Sequence, residues 1–304
     1  MTAVPWQPES APSITDTALV FEGGGMRAAF SAGIAITLIR AGIDFPHTFG
    51  VSAGTSTTAN LVSRDITRAR RSFVEFSTDP QFGSLRTFAR GQGLFNAEYI
   101  YQNTALPDQA LPLDWDTFCA HPSEVSVVAF NAEDGTTVEW RRADFPTMDD
   151  YLLRVRASST MPIVMPVTDV DGTLYVDGAL GDGGGIALPA MLDAGFDRGV
   201  FVLTQERRYR KSPTRFKHST RQIFRRLPAV PAAMETRAAR YNSIRKQLFD
   251  LEADGRVFII EPDIMQIGNS TRNLSQLAAA HRHGLSVGRR ELPSLRDFLG
   301  LSYE

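Results

Sequence analysis

The sequence predicts an α/β protein: a mainly parallel sheet with helices on both faces and helical additions at the C-terminus. Three observations point there. Short β-like runs alternate with helical runs along most of the chain, the pattern that parallel strands joined by crossover helices produce. A strand, a glycine-containing turn and a helix follow one another twice between residues 17 and 62. With 304 residues, 43% hydrophobic and 22% charged, the chain holds enough apolar material for a large core, which excludes disordered, collagen-like and coiled-coil architectures. No repeat of solenoid length and no low-complexity linker divides it, so residues 17–304 read as one domain behind a flexible arm of residues 1–16.

Each element follows in order. Residues 17–22 (TALVFE) form a β-like run ending in three glycines, and residues 26–41 carry helical apolar spacing at Ile34, Leu38 and Ile39. Phe49 and Val51 make a short extended segment, and residues 53–62 read as the helix after it. Residues 83–112, rich in Gly, Gln, Asn and Pro, read as a loop that covers a cleft. SVVAFN and TTVEWRR flank Asp134-Gly135, a hairpin signal. Residues 174–176 and 199–204 are further strands, separated by a glycine-rich turn and a helix starting near Pro189. Tyr241, Ile244, Leu248 and Leu251 recur at three- and four-residue spacing along a helix that Gly255 ends, and RVFIIEP is a strand. Residues 273–299 read as largely helical, interrupted around residues 284–288 and restarting near Pro293.

The formal net charge of -2 favours neither nucleic acid nor an anionic surface, but the distribution is uneven. Residues 207–226 carry nine Lys or Arg and no acid, leaving 23 basic against 34 acidic residues elsewhere, a balance of -11. Such a strip is commonly a solvated face. It also suits anionic lipid headgroups, with Tyr209, Phe216, Ile223 and Phe224 as apolar anchors. No nucleic-acid recognition motif accompanies it. The single Cys119 forms no internal disulfide, and residues 1–16 lack the basic and apolar regions of a secretory signal. The expected location is the cytoplasm, with peripheral contact at the inner membrane surface through residues 207–226.

The chemistry concentrates in three glycine-rich turns. Gly50-Val51-Ser52-Ala53-Gly54 fits G-x-S-x-G, which sets a serine on a sharp strand-to-helix turn; the same serine would serve as a helix N-cap. A serine hydroxyl is a weak nucleophile until a base takes its proton and donors stabilise the oxyanion. Gly23-Gly24-Gly25-Met26-Arg27 joins the first strand to the first helix, so its amides point outward at a helix N-terminus where negative charge is favoured. In a parallel sheet both turns lie at the carboxyl edge. Gly23, Gly25 and Ala28 also satisfy the dinucleotide fingerprint G-x-G-x-x-A, but Asp44 precedes the next β-like run instead of ending it, as a ribose-binding acid would.

Asp177 ends the run Leu174-Tyr175-Val176 and opens a turn without bulky neighbours, which offers Ser52 an ionisable partner; an Asx-turn explains it equally well. His281 and His283 formally complete the order Ser, Asp, His. Neither they nor His47, His121 or His218 sits in a glycine-rich turn at a strand end, so each reads as a surface or satisfied histidine, and two histidines at i and i+2 on a helix do not make a metal pair.

FEGGGMR, GVSAG, ASSTMP and YVDGA, in that order, resemble the bacterial members of the patatin-like phospholipase family. The similarity continues through VLTQERRYRKSP, RYNSIRKQLFDLEADG and VFIIEP, covering about residues 17–262. This resemblance implies a three-layer α/β/α sandwich and a Ser-Asp dyad without histidine, metal or cofactor: Ser52 as nucleophile, Asp177 as general base, and an oxyanion hole from Gly23, Gly24, Gly25, Met26 and Arg27. It implies hydrolysis of carboxylic esters of lipids, of the phospholipase A, lysophospholipase or lipid esterase type. One position departs from the pattern: Ala28 stands where the family has a glycine, and its Cβ strains the turn if φ must be positive there. That residue is the one hint of an alternative, a lipid- or protein-binding module with a degenerate site.

Overall fold

The computed structural model describes residues 14–213 and 217–301. Among these residues eight strands form one sheet: β1 (Thr17–Phe21), β2 (His47–Val51), β3 (Glu124–Asn131), β4 (Thr137–Trp140), β5 (Thr168–Val170), β6 (Thr173–Asp177), β7 (Arg198–Val202) and β8 (Val257–Ile260). The order is β5-β6-β3-β2-β1-β7-β8, with β4 paired to β3 off this path. From β3 to β8 all pairs are parallel; β6, β5 and β4 add antiparallel pairs at the other end. The hairpin turning at Asp134-Gly135 is therefore present, and the sheet is mixed but mostly parallel.

Among the described residues eleven α-helices accompany these strands: α1 (Ala28–Ala41), α2 (Ala53–Val62), α3 (Ile66–Phe73), α4 (Leu85–Ala89), α5 (Ala97–Tyr101), α6 (Trp115–Ala120), α7 (Met148–Ser159), α8 (Leu188–Asp193), α9 (Lys217–Ile223), α10 (Ala229–Ala253) and α11 (Leu274–Leu299). Alternation along the central strand assigns them to layers. Leu19 and Phe21 of β1 pack with Phe30, Ile34 and Leu38 of α1 and Val287 of α11, whereas Ala18 and Val20 pack with Met191 of α8 and Tyr241 and Leu248 of α10. All five residues of β1 are buried, as a strand covered on both faces requires. The result is the expected three-layer sandwich with C-terminal helices. Among the described residues no helix is long and apolar enough to cross a membrane.

Two segments differ from the sequence reading. Residues 83–112 are not simply loop: they hold α4 and α5, and Phe95, Ile100, Tyr101 and Leu111 line an apolar cavity. The second difference is α11, which runs unbroken through residues 284–288 and past Pro293. Its glycines are contact points with α1. A Cβ on Gly284 would lie 2.1 Å from the Phe30 carbonyl oxygen, and one on Gly288 2.7 Å from Thr37 Oγ1. Packing of two helices at this separation offsets the roughly 1 kcal/mol per glycine lost in helix propensity.

Candidate active site

β3 brings the turns of Ser52 and Asp177 together. β2 ends with Val51 opposite Val128, and β6, running the other way, ends with Asp177 opposite Ala129. Adjacent residues of one strand thus hold the ends of two others, and Ser52 Oγ donates a 2.9 Å hydrogen bond to Asp177 Oδ2. Ser52 sits at φ 53°, ψ -127°, outside the regions a serine ordinarily adopts, at a cost of about 1–3 kcal/mol. The turn is too tight for side chains beside it. A Cβ on Gly54 would come within 2.3 Å of the Phe21 carbonyl, and one on Gly50 within 2.7 Å of the Thr55 backbone.

Both residues are nearly closed to solvent, at 6% and 7% exposure. Burial pushes the Asp177 carboxyl above its ordinary value, against the opposing charge of Arg237 and hydrogen bonds from the Ala179 amide and Ser52. The Ala179 amide donates to Asp177 Oδ1 at 2.9 Å. A carboxylate raised in this way accepts a proton more readily than a surface aspartate, which suits a base.

The motif ASSTMP ends α7, and its first hydroxyls have a structural task. Ser158 Oγ accepts from the Ser52 amide at 2.9 Å and donates to the Val128 carbonyl at 2.6 Å, while the Thr160 carbonyl accepts from the Asp177 amide at 2.8 Å. One helix terminus therefore fixes both members of the pair. The sequence reading assigned no residue this role.

Of the glycine-rich turn's amides, Gly23 donates to the Gly185 carbonyl at 2.9 Å, Met26 to the Asn269 carbonyl at 3.0 Å and Arg27 to the Gly24 carbonyl at 3.2 Å. The amides of Gly24 and Gly25 have no acceptor among the described residues. Gly23, Gly24 and Gly25 line the same cavity as Ser52 and Asp177, a space of about 260 Å³. Gly25 adopts φ 55°, and a Cβ on it would meet the Asn269 carbonyl oxygen at 2.4 Å. Ala28 lies at φ -64°, ψ -5°, an ordinary right-handed conformation, so its Cβ imposes no backbone strain.

Among the described residues no histidine joins this pair. His47 hydrogen-bonds Ser126 Oγ at 2.7 Å, His121 meets Asp44 at 3.2 Å, and His283 meets Asp263 at 3.2 Å. His281 is neither at the surface nor satisfied: it is buried, its Nε2 has no partner among the described residues, and burial lowers its pKa to about 4. The His218 side chain lies outside the described residues. Asp44, the residue a dinucleotide site would need, is held by both Arg64 and His121.

The cationic strip is partly neutralised within the fold. Arg207 pairs with Glu252 and Glu261, and Arg221 with Glu235. Two of the supposed anchors point inward: Phe224 is buried with Val230 and Ala233, and Tyr209 packs edge-on against Tyr241 at 6.0 Å. Phe216 lies outside the described residues. Ile223, Arg208, Arg210, Arg225 and Arg226 stay exposed.

A family model described as patatin-like phospholipase matches residues 19–190, more than half the chain, and a model described as a domain of unknown function (DUF6363) matches residues 227–300. A curated relative, the uncharacterized protein YjjU of Escherichia coli (strain K12), is 27% identical over 173 residues, which are 54% of this chain and 46% of the relative. The chain thus matches less than half of that relative's length. The crystal structure of VipD from Legionella pneumophila aligns over 94% of this chain and 68% of its own, with a TM-score of 0.52 at 15% identity, a likeness of fold.

Proposed function

Since this chain belongs to the patatin-like phospholipase family, we propose that it is a serine acyl hydrolase that cleaves carboxylic esters of lipids through Ser52 and Asp177. The observation that carries the reading is the 2.9 Å hydrogen bond from Ser52 Oγ to a buried carboxylate. Ser52 Oγ attacks the ester carbonyl carbon as its proton passes to Asp177 Oδ2. The carbonyl oxygen becomes an oxyanion, stabilised by the free amides of Gly24 and Gly25. Collapse of the tetrahedral intermediate breaks the bond to the alcohol, which leaves with the proton from Asp177. Asp177 then takes a proton from water as that water attacks the acyl-serine; collapse of this second intermediate breaks the acyl–Oγ bond, Asp177 returns the proton to Ser52 Oγ, and the fatty acid departs.

The acyl chain has a place to go. The apolar cavity lined by Phe73, Phe76, Phe82, Phe95 and Ile100 shares Gly25, Met161 and Asn269 with the cavity of the pair. Ser56, on α2 one turn past Ser52, also lines it. Ser56→Phe is expected to lower kcat/KM for long-chain esters about tenfold more than for acetyl esters, since a ring there occupies the space of several methylenes, each worth ~0.8 kcal/mol when buried. A chain-length series on both proteins checks this.

The deciding experiment is incubation with a fluorophosphonate probe followed by mapping of the labelled residue, beside hydrolysis of a monoacylglycerol and a lysophospholipid. Label on Ser52 with turnover of either lipid is the expected result; a folded protein that neither labels nor hydrolyses an ester overturns the reading. The pH dependence carries its own test. Asp177 acts as base only when ionised, and burial raises its pKa above the ordinary 3.8. The acid limb of kcat/KM is therefore expected above that value, with activity lost as pH falls through it.

A further inference from the structure

The apolar cavity assigned to the acyl chain holds a positive charge that the proposed mechanism does not use. Arg68 of α3 lines it together with the phenylalanines. An arginine stays ionised in a protein, and a buried cation costs stability unless it is paired. Its neighbours along the chain are paired: Arg64 meets Asp44 at 2.8 Å and Arg70 meets Glu75 at 2.9 Å. Arg68 has no carboxylate in contact with it among the described residues. Its Nε donates to the Leu111 carbonyl at 3.0 Å and its Nη1 to Asn60 Oδ1, both neutral oxygens, while Nη2 has no acceptor among the described residues.

Nothing nearby is free to take up the charge. The Asp65 carboxylate caps α3 by accepting from the Arg68 amide at 2.7 Å, and the Tyr151 hydroxyl, which shares the cavity, donates to the Thr55 carbonyl at 3.3 Å. Desolvation lowers the pKa of the guanidinium against the attraction of these two groups, so the charge sits deep in the protein. The residue nevertheless keeps open surface, as a group on a cavity wall does.

α2 measures how far this charge lies from Ser52. Ala53, Ser56 and Ala59 line the cavity on successive turns of the helix, and Asn60, which holds Arg68, follows directly. At ~1.5 Å of rise per residue, the path along α2 from Ser52 to Asn60 is roughly 12 Å. An extended acyl chain advances about 1.3 Å per carbon, given C–C bonds of about 1.5 Å, so roughly eight to ten carbons reach from Ser52 to the guanidinium.

We propose that Arg68 receives a carboxylate at the far end of the acyl chain, so that the enzyme selects esters of ω-carboxyacyl groups of roughly eight to ten carbons over plain fatty acyl esters of the same length. This rests on the acyl hydrolase reading, with Ser52 attacking one end of the acyl group while Arg68 holds the other. The planar guanidinium offers Nη2 and the second proton of Nη1 to the carboxylate oxygens, and the apolar walls between take the methylenes.

The test measures kcat/KM for glycerol monoesters of dicarboxylic acids from hexanedioate to dodecanedioate, each beside the monoester of the plain acid with the same number of carbons. Without a receptor, a charged chain end is rejected by an apolar cavity, so the sign of the preference is itself informative. The wild type is expected to favour the carboxylated chain about tenfold at octanedioate or decanedioate and to reject hexanedioate, which falls short. Arg68→Gln should reverse the preference. Asn60→Asp keeps Arg68 in place and gives it a carboxylate of its own; the Asn60 Nδ2 has no partner among the described residues, so the exchange forfeits no hydrogen bond. That variant should melt above the wild type and lose the preference about tenfold. A wild-type preference for the plain chain at every length, or a preference untouched in Asn60→Asp, overturns the subsite.

Calorimetric titration of free octanedioate and octanoate into the same proteins separates this inference from the reading beneath it. Octanedioate that binds more tightly than octanoate, and about tenfold more weakly in Asn60→Asp, supports the subsite even on a protein that hydrolyses no ester, and removes the hydrolase. Hydrolysis of the plain esters with no Arg68-dependent gain from the second carboxylate, in turnover or in binding, overturns the subsite and leaves the hydrolase standing.

Discussion

Replacing Ser52 by alanine is expected to lower kcat for ester hydrolysis by about 10⁴-fold or more, and Asp177→Asn by about 10³- to 10⁴-fold, because nucleophile and base act as a unit and removing either forfeits most of the chemistry. The amide variant is the sharper probe. Asparagine has nearly the volume of aspartate and keeps an oxygen to accept from Ser52 Oγ or the Ala179 amide, the two bonds that hold Asp177 at 2.9 Å. What the side chain loses is the capacity to take a proton. The defect is therefore chemical, and the circular dichroism and melting of Asp177→Asn should stay close to wild type while turnover falls. In Ser52→Ala the carboxylate stays buried and loses one of the bonds that hold its pKa down, so its pKa should rise further. Single-turnover hydrolysis and the rate of fluorophosphonate labelling measure both losses. Wild-type turnover in Ser52→Ala would put the nucleophile elsewhere, and full activity in Asp177→Asn would remove the base.

The sequence made these residues legible one at a time. Ser52 follows a β-forming pair and precedes a helix, and Asp177 ends the β-like run Leu174-Tyr175-Val176; those contexts are local and survive without a structure. Their meeting is not local. It depends on β6 lying antiparallel to β3, with Asp177 opposite Ala129, and no periodicity announces a register. The residues that orient the pair show the same divide. Thr147 and Asp150 form a capping box that could have been read as the start of α7, but nothing in that signal says Ser158 at the far end meets the Ser52 amide. Arg237 was hidden because α10 begins at Ala229, twelve residues before the amphipathic spacing that gave the helix away. Asn269 lies outside regular structure, in a segment with neither helical nor strand periodicity, yet its carbonyl braces the glycine turn.

That brace leads to the largest effect expected away from the reacting atoms. Gly284→Ala should destabilise the fold by about 2 kcal/mol and slow labelling of Ser52. Alanine gains ~1 kcal/mol of helix propensity over glycine, but overpacking costs typically ~1–3 kcal/mol, and here the obstacle is backbone. The new methyl would lie 2.1 Å from the Phe30 carbonyl oxygen, which cannot rotate away as a side chain would. The approach is reciprocal, since a Cβ on Gly33 of α1 would lie 2.6 Å from the His281 carbonyl. Relief requires α11 to move off α1. Asn269 precedes α11 by a few residues, holds the Met26 amide, and sits against Gly25, whose own amide has no acceptor among the described residues and is the proposed oxyanion donor. Separation of the two helices thus transmits to the turn that α1 extends. Ser286→Ala, at an exposed position of the same helix, keeps the propensity gain without the clash and should be neutral or slightly stabilising. If chemical denaturation and labelling rates place Gly284→Ala beside Ser286→Ala, close packing of α1 on α11 does not set the geometry of the hole.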